Sequence, residues 1–386
     1  MEGVNSEYGR LKKVLVGRAD GFRLPALEHD PLICERTIGS EYKLLGEPYP
    51  EKVIKEANQS LDNLSNILKE NGVEVVRPPI GLPDKRNHCS EAGNRGYSTR
   101  DVMIVIEDIL YLTPTCHQSR ATEPESCFRE IIDMYSDRNK LVDLRSDKWK
   151  NIAADKTRNF MYNDNKIEKE YLTEIKKKLL SLSIDIDIAA VKNLDSNNKI
   201  LTNEVPIFDA ANLLFINKST ILYLVSCSAN WNGFVTFSEI MFKNHNIKVV
   251  PIPSSIYSGT HLDSTLCVLN NKYILFCEER ISRKQVYELC GIYGYPDINN
   301  NYIGVTKEDI YDVGLFRDDQ NFASIYIGMN LLALTPDILI VEEKQINLIS
   351  KLKKFGFKIL TVAYPHMRSM GGGIHCTTLP LVRELI

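Results

Sequence analysis

The chain is 386 residues long, 44% hydrophobic and 25% charged, with a formal net charge of −3. That balance is ordinary for a globular protein and argues against nucleic acid or an acidic membrane surface as the main partner. No run approaches the roughly 18 consecutive apolar residues of a membrane helix, and the opening MEGVNSEYGRLKK lacks the apolar core of a secretion signal, so the expected location is cytoplasmic.

Taken in chain order, one pattern recurs. KKVLVG is followed by an expected helix near 50–70 and then by VEVVRP. Within that helix Val53, Ala57, Leu61, Leu64 and Leu68 recur at spacings of three and four, so they share one face, and Asn71-Gly72 ends it. DVMIVI (101–106) and ILYLT (109–113) read as a hairpin across Glu107-Asp108, with a helix near 120–137 after it. IFDAANLLFI turns at Asn217-Lys218 into TILYLVS, followed by a helix near 233–244 and IKVVPI. LDSTLCVL and YILFC make the next hairpin, with a helix near 282–291. IYIGMNLLAL and ILIVEE make another, with a helix from about 344 to 355 and then FKILTVA.

A hairpin, a helix and a further strand thus recur about five times, which predicts a repeated α/β architecture. Residues 1–386 are expected to form a single domain with a divergent insert near 138–200. The insert is rich in Lys, Asn and Asp and is read as a helix, IEKEYLTEIKKKLLSL, and a polar loop, NLDSNNK.

The nine cysteines are odd in number and include no CxxC pair, so neither a disulfide framework nor a structural zinc site is expected. Cys267 and Cys277 lie in apolar runs and read as core. Cys376 differs, because it follows three glycines in MGGGIHCTT. A glycine run suits a sharp turn that exposes a side chain and backbone N–H groups to a ligand, and a thiolate there is a candidate nucleophile.

His261, in SGTHLDSTL, is the candidate base, and Asp263 two residues on would share its side of an extended chain. Asp209, in PIFDAANLL, occupies the place in its repeat that His261 has in the next, and Asp101, in YSTRDVMIVI, occupies it in an earlier one. If the units ring a common axis, these groups converge. Carboxylates around a cysteine suit a guanidinium, which is a planar cation with five donors and an electrophilic carbon. No metal is expected.

The chain resembles the amidinotransferases, a branch of the guanidino-group-modifying pentein superfamily that includes the glycine and inosamine-phosphate enzymes. The resemblance covers nearly the whole chain. It rests on NSEYGRLKKVLVGR (5–18), EPYPEKVIKEANQSLDNL (47–64), YSTRDVMIVI (97–106), FDAANLLF (208–215), THLDST (260–265), SIYIGMNLL (324–332) and GGGIHCTTL (371–379). It implies a five-bladed α/β propeller with the site on its axis. By the same resemblance Cys376 is the nucleophile, His261 the general acid/base and Asp209 the group that orients it. Asp101 and Asp263 clamp the guanidinium, and Arg280 with Ser324 holds the donor carboxylate.

The implied reaction moves an amidino group from L-arginine through an amidino-cysteine to an amine acceptor, releasing ornithine. It needs no cofactor, and its partners are small molecules, with a homodimer as the family-level expectation. A deiminase on the same fold and a non-catalytic arginine binder are the alternatives. Ser98-Thr99 stands where the family often has Cys-Pro, and the end, TTLPLVRELI, lacks the usual Asp and double Arg. The residue before the histidine, methionine in glycine-type enzymes, is Thr260 here, with Ser258 two before. The smaller side chains lead us to expect an acceptor larger than glycine.

Overall fold

Five small sheets carry the architecture, each built from an antiparallel pair joined in parallel to a third strand. The computed structural model describes residues 2–23, 48–79, 96–155, 160–162, 165–182, 184–185, 200–253, 256–257, 259–313 and 323–386. In the second blade Met103–Ile106 pairs antiparallel with Ile109–Leu112, which runs parallel to Leu141–Asp143. The third, fourth and fifth blades repeat this with leading strands Leu213–Asn217, Leu266–Val268 and Leu332–Thr335.

In each blade a helix makes the crossover to the parallel third strand, as a parallel connection requires. The first blade is assembled from both ends of the chain. Its leading strand is the C-terminal Thr378–Glu384, antiparallel to Leu11–Val16, which runs parallel to Glu74–Val76. That pairing closes the ring as a five-bladed α/β propeller.

Apolar faces pack within and between neighbouring blades. Helix Glu51–Glu70 buries the predicted stripe, Val53, Ala57, Leu61, Leu64 and Leu68. Asn71 caps it, and Gly72 at φ +80° supplies the left-handed turn that follows. Cys267 and Cys277 are buried in the core, and all seven described cysteines are free thiols. Among the described residues no helix is long and apolar enough to cross a membrane.

Four expectations are corrected. The single helix near 120–137 is two, Glu123–Cys127 and Arg129–Ser136, broken at the buried Phe128, whose ψ of 25° leaves the helical range. The run IYIGM is a 3-10 helix, Ile325–Met329, and the strand starts only at Leu332. LDST is a turn closed by Thr265 N–H donating to Leu262 O at 2.9 Å, so His261 and Asp263 do not share an extended chain. Leu141–Asp143, set aside with the insert, completes the second blade. The insert helix is present as Asn165–Ser181, whereas the polar loop 193–199 lies outside the described residues.

Candidate functional site

Each leading strand is entered from a turn that carries a polar residue. Asp101 precedes Met103, Asp209 precedes Leu213, Asp263 precedes Leu266, Asn330 precedes Leu332 and Cys376 precedes Thr378. The repeat therefore sets these side chains in phase at one end of the ring.

The glycine run now has a physical reason. Gly371 takes φ +71° as the cap of helix Met367–Met370. A Cβ on Gly372 would come within 2.9 Å of Ser98 Oγ, and one on Gly373 within 2.7 Å of Asn330 Oδ1. Asn330 Oδ1 accepts from Cys376 N–H at 3.0 Å. Both threonines tie the turn down: Thr377 Oγ1 donates to Gly373 O at 3.0 Å, and Thr378 Oγ1 to Ile374 O at 2.9 Å.

Cys376 is buried, and its thiol meets Asp263 Oδ2 at 3.3 Å. Burial first, then the charges of Asp263 and Asp101, push the thiol well above its ordinary value. Asp263 Oδ2 also accepts from His375 Nδ1 at 2.9 Å. Despite burial, which works the other way, the His375 hydrogen bond holds Asp263 well below the usual carboxylate range.

His261 Nε2 lies 3.0 Å from Asp209 Oδ2, and its Nδ1 is 4.0 Å from Asp101 Oδ1. Burial would discharge the ring, but Asp101, Asp209 and Asp263 outweigh it and raise His261 to about 9. Asp209 is fully buried. Its Oδ1 accepts from Thr115 Oγ1 at 2.5 Å and Cys116 N–H at 3.4 Å, and its Oδ2 lies 3.3 Å from His117 Nε2. Burial opposes ionisation, but His117 and His261 hold Asp209 well below its ordinary value.

Asp101 Oδ2 accepts from Arg120 Nη1 at 2.5 Å. Arg120 is held in turn by Glu123, at 2.7 and 3.0 Å, and by Ser98 O at 2.7 Å. Asp101 Oδ1, by contrast, is buried and has no hydrogen-bond partner among the described residues. A buried carboxylate oxygen left open is costly unless a ligand meets it.

Arg280 Nη1 reaches Thr265 Oγ1 at 2.9 Å, Ser264 Oγ at 3.2 Å and Tyr257 Oη at 3.2 Å, and its Nη2 donates to Ser324 Oγ. All are neutral oxygens, so among the described residues the cation has no countercharge in direct contact. Its guanidinium sits 5.2 Å from the Tyr326 ring centroid. Thr260 is buried. Its carbonyl accepts from Asn212 Nδ2 at 2.9 Å, and its Oγ1 lies 3.9 Å from Cys227 Sγ. Ser258 lies outside the described residues.

The structure thus brings Cys376 to Asp263 and His261 to both Asp209 and Asp101, and joins Arg280 to Ser324. Sequence reading missed Arg120, Glu123, Asn330, His117 and His375. The polar run TPTCHQSR, directly after an apolar hairpin, was a signal for two of them. Cys116, His117 and Asp209 place ligand atoms within 4.8 Å of one another, a spacing that could hold a metal ion.

The sequence pattern of the arginine deiminase family matches residues 316–383. Over 98% of this chain and 96% of its own length, an inosamine-phosphate amidinotransferase of Streptomyces griseus is 27% identical. An L-arginine:L-lysine amidinotransferase of Pseudomonas savastanoi pv. phaseolicola is 23% identical over 98% of this chain and 93% of its own. The solved structure of an inosamine-phosphate amidinotransferase from Streptomyces griseus superposes with a TM-score of 0.75 at 25% identity, covering 100% of this chain and 98% of that one.

Proposed function

We propose, from the likeness to the amidinotransferases over the whole chain, that this protein is an amidinotransferase of the pentein superfamily in which Cys376 carries an amidino group from L-arginine to an amine acceptor. The observation that carries this reading is the pairing of a thiol in contact with one buried carboxylate and a second carboxylate with an open oxygen beside a histidine. A guanidinium clamped between Asp101 and Asp263 would satisfy that open oxygen and bring its central carbon to the sulfur.

The arriving cation offsets the carboxylates that keep the thiol protonated. Cys376 then loses its proton to solvent, and Sγ attacks the guanidino carbon. His261, charged at neutral pH, gives its proton to the departing nitrogen as the C–N bond breaks. Ornithine leaves, a cationic amidino-cysteine stays, and His261 is neutral. An acceptor amine then attacks the same carbon, His261 takes its proton, the C–S bond breaks and the thiolate returns. Arg280, with Ser324 and Tyr257 around it, would hold the donor's α-carboxylate. Thr260, smaller than the methionine of glycine-type enzymes, would leave room for an acceptor larger than glycine. Residues 1–386 act as one unit in this reading, because the last strand completes the first blade.

Product analysis tests the reading. With L-arginine and an amine such as L-lysine or hydroxylamine, ornithine should accumulate together with the amidinated amine. Citrulline in place of both would mean that water resolves the adduct and that the protein is a deiminase.

A further inference from the structure

One buried arm reaches the site from the opposite end of the chain and has no role in the reaction so far. Glu7 lies in the NSEYGRLKK stretch, and its Oε2 faces His375 Nε2 at 3.4 Å. His375 Nδ1 meets Asp263 Oδ2 at 2.9 Å, and that same oxygen meets Cys376 Sγ at 3.3 Å. Glu7 is anchored from behind. Its Oε1 accepts from Phe215 N–H at 3.2 Å, and Arg100 Nη1 stands 3.5 Å from Oε2. Arg100 N–H in turn donates to Cys376 O at 3.3 Å.

We infer that Glu7 and His375 are positioning residues that act through Asp263, fixing the carboxylate that meets both the thiol and the incoming guanidinium. The inference rests on the proposed reading of Asp263 as half of the clamp. Each ring nitrogen of His375 faces a carboxylate oxygen, so the ring is held from both sides, by Asp263 at Nδ1 and by Glu7 at Nε2. Glu7 therefore sets the ring so that Nδ1–H points at Asp263. Without that donor Asp263 Oδ2 keeps, among the described residues, only the weak thiol donor. A bidentate partner of a guanidinium works only if its plane is held, so this arm sets donor affinity without touching the donor.

The test compares arginine with ornithine, which shares the α-carboxylate end but lacks the guanidinium. His375→Ala should raise the KM for arginine about tenfold or more, the size expected for loss of a charge-assisted hydrogen bond, and leave the inhibition constant of ornithine within about twofold. Glu7→Gln, which keeps the shape but not the charge, should raise the arginine KM by about threefold. His375→Asn should restore much of the loss, because its Nδ2–H can stand where the imidazole Nδ1–H stood. An unchanged arginine KM in His375→Ala, or arginine and ornithine weakening together, overturns the inference. If His375→Ala does not fold, Glu7→Gln carries the same comparison, and an arginine KM unchanged in it, or arginine and ornithine weakening together, overturns the inference. Failure of the wild-type protein to release ornithine from arginine would instead remove the functional reading itself.

Discussion

Two halves of the site use the same ingredient, a buried carboxylate, to opposite ends. Around Asp209, donors converge from Thr115, Cys116 and His261, and the resulting anion joins Asp101 and Asp263 in holding His261 charged up to about 9. Around Asp263, the acidic partner is a thiol, and the same negative charge holds Cys376 protonated well above its ordinary value. A carboxylate favours whichever neighbouring state is more positive, so it arms an acid on one side and disarms a nucleophile on the other. The difference makes sense if the missing element is a cation, because a guanidinium would weaken the second effect where it binds.

The comparison can be broken residue by residue. Cys376→Ala should abolish transfer, a fall of about 10⁴-fold or more, with no covalent adduct. Asp209→Asn should lower turnover by about 10²- to 10⁴-fold through loss of the charge and orientation of His261. The residual activity should lose its alkaline limb at lower pH than wild type, read from a pH–rate profile. In the wild type that limb should fall as pH rises through about 9, because in the proposed mechanism only charged His261 protonates the leaving amine.

The same shift has a stability consequence. His261 binds its proton more tightly folded than unfolded, so its contribution is full below its ordinary value of 6.5 and is lost as pH rises through about 9. Thermal melts of wild type and His261→Gln across that range should converge toward the alkaline end.

Arg280→Gln should raise the arginine KM by about 10- to 100-fold while barely changing turnover of agmatine, which has no α-carboxylate. Asp263→Asn should sharpen the other half. Removing the charge should lower the pH midpoint of Cys376 alkylation in the ligand-free protein by about one unit or more. Smallest for activity is Leu61→Ala in the outer helix, which should cost about 2–5 kcal/mol of stability in chemical denaturation and leave turnover at 25 °C intact.

The residues that enter the site in phase were legible because the repeat puts them at the same point of successive units. Asp101, Asp209 and Asp263 all stand just ahead of apolar strands. What supports them was not legible. Glu7 meets His375 across 368 positions, and Asn330 meets Cys376 across 46, contacts that exist only once the ring closes. Arg120 reads as a charged surface residue until Glu123 and Asp101 are seen to bury it.

Local reading failed where apolar runs are ambiguous. IYIGM is short enough to be strand or helix, and tertiary packing decides it. Gly328 sits so close to Gln345 that a Cβ would come within 2.8 Å of Oε1. The run 120–137 has helical content throughout, but Phe128 turns into the core and breaks it.

The most direct test of the central claim is the intact mass of the protein after incubation with L-arginine alone, followed by peptide mapping. The account predicts a mass increase of one amidino group on Cys376, one equivalent of ornithine released, and loss of the adduct when an acceptor amine is added. An unmodified Cys376, with neither ornithine nor citrulline formed, would contradict it.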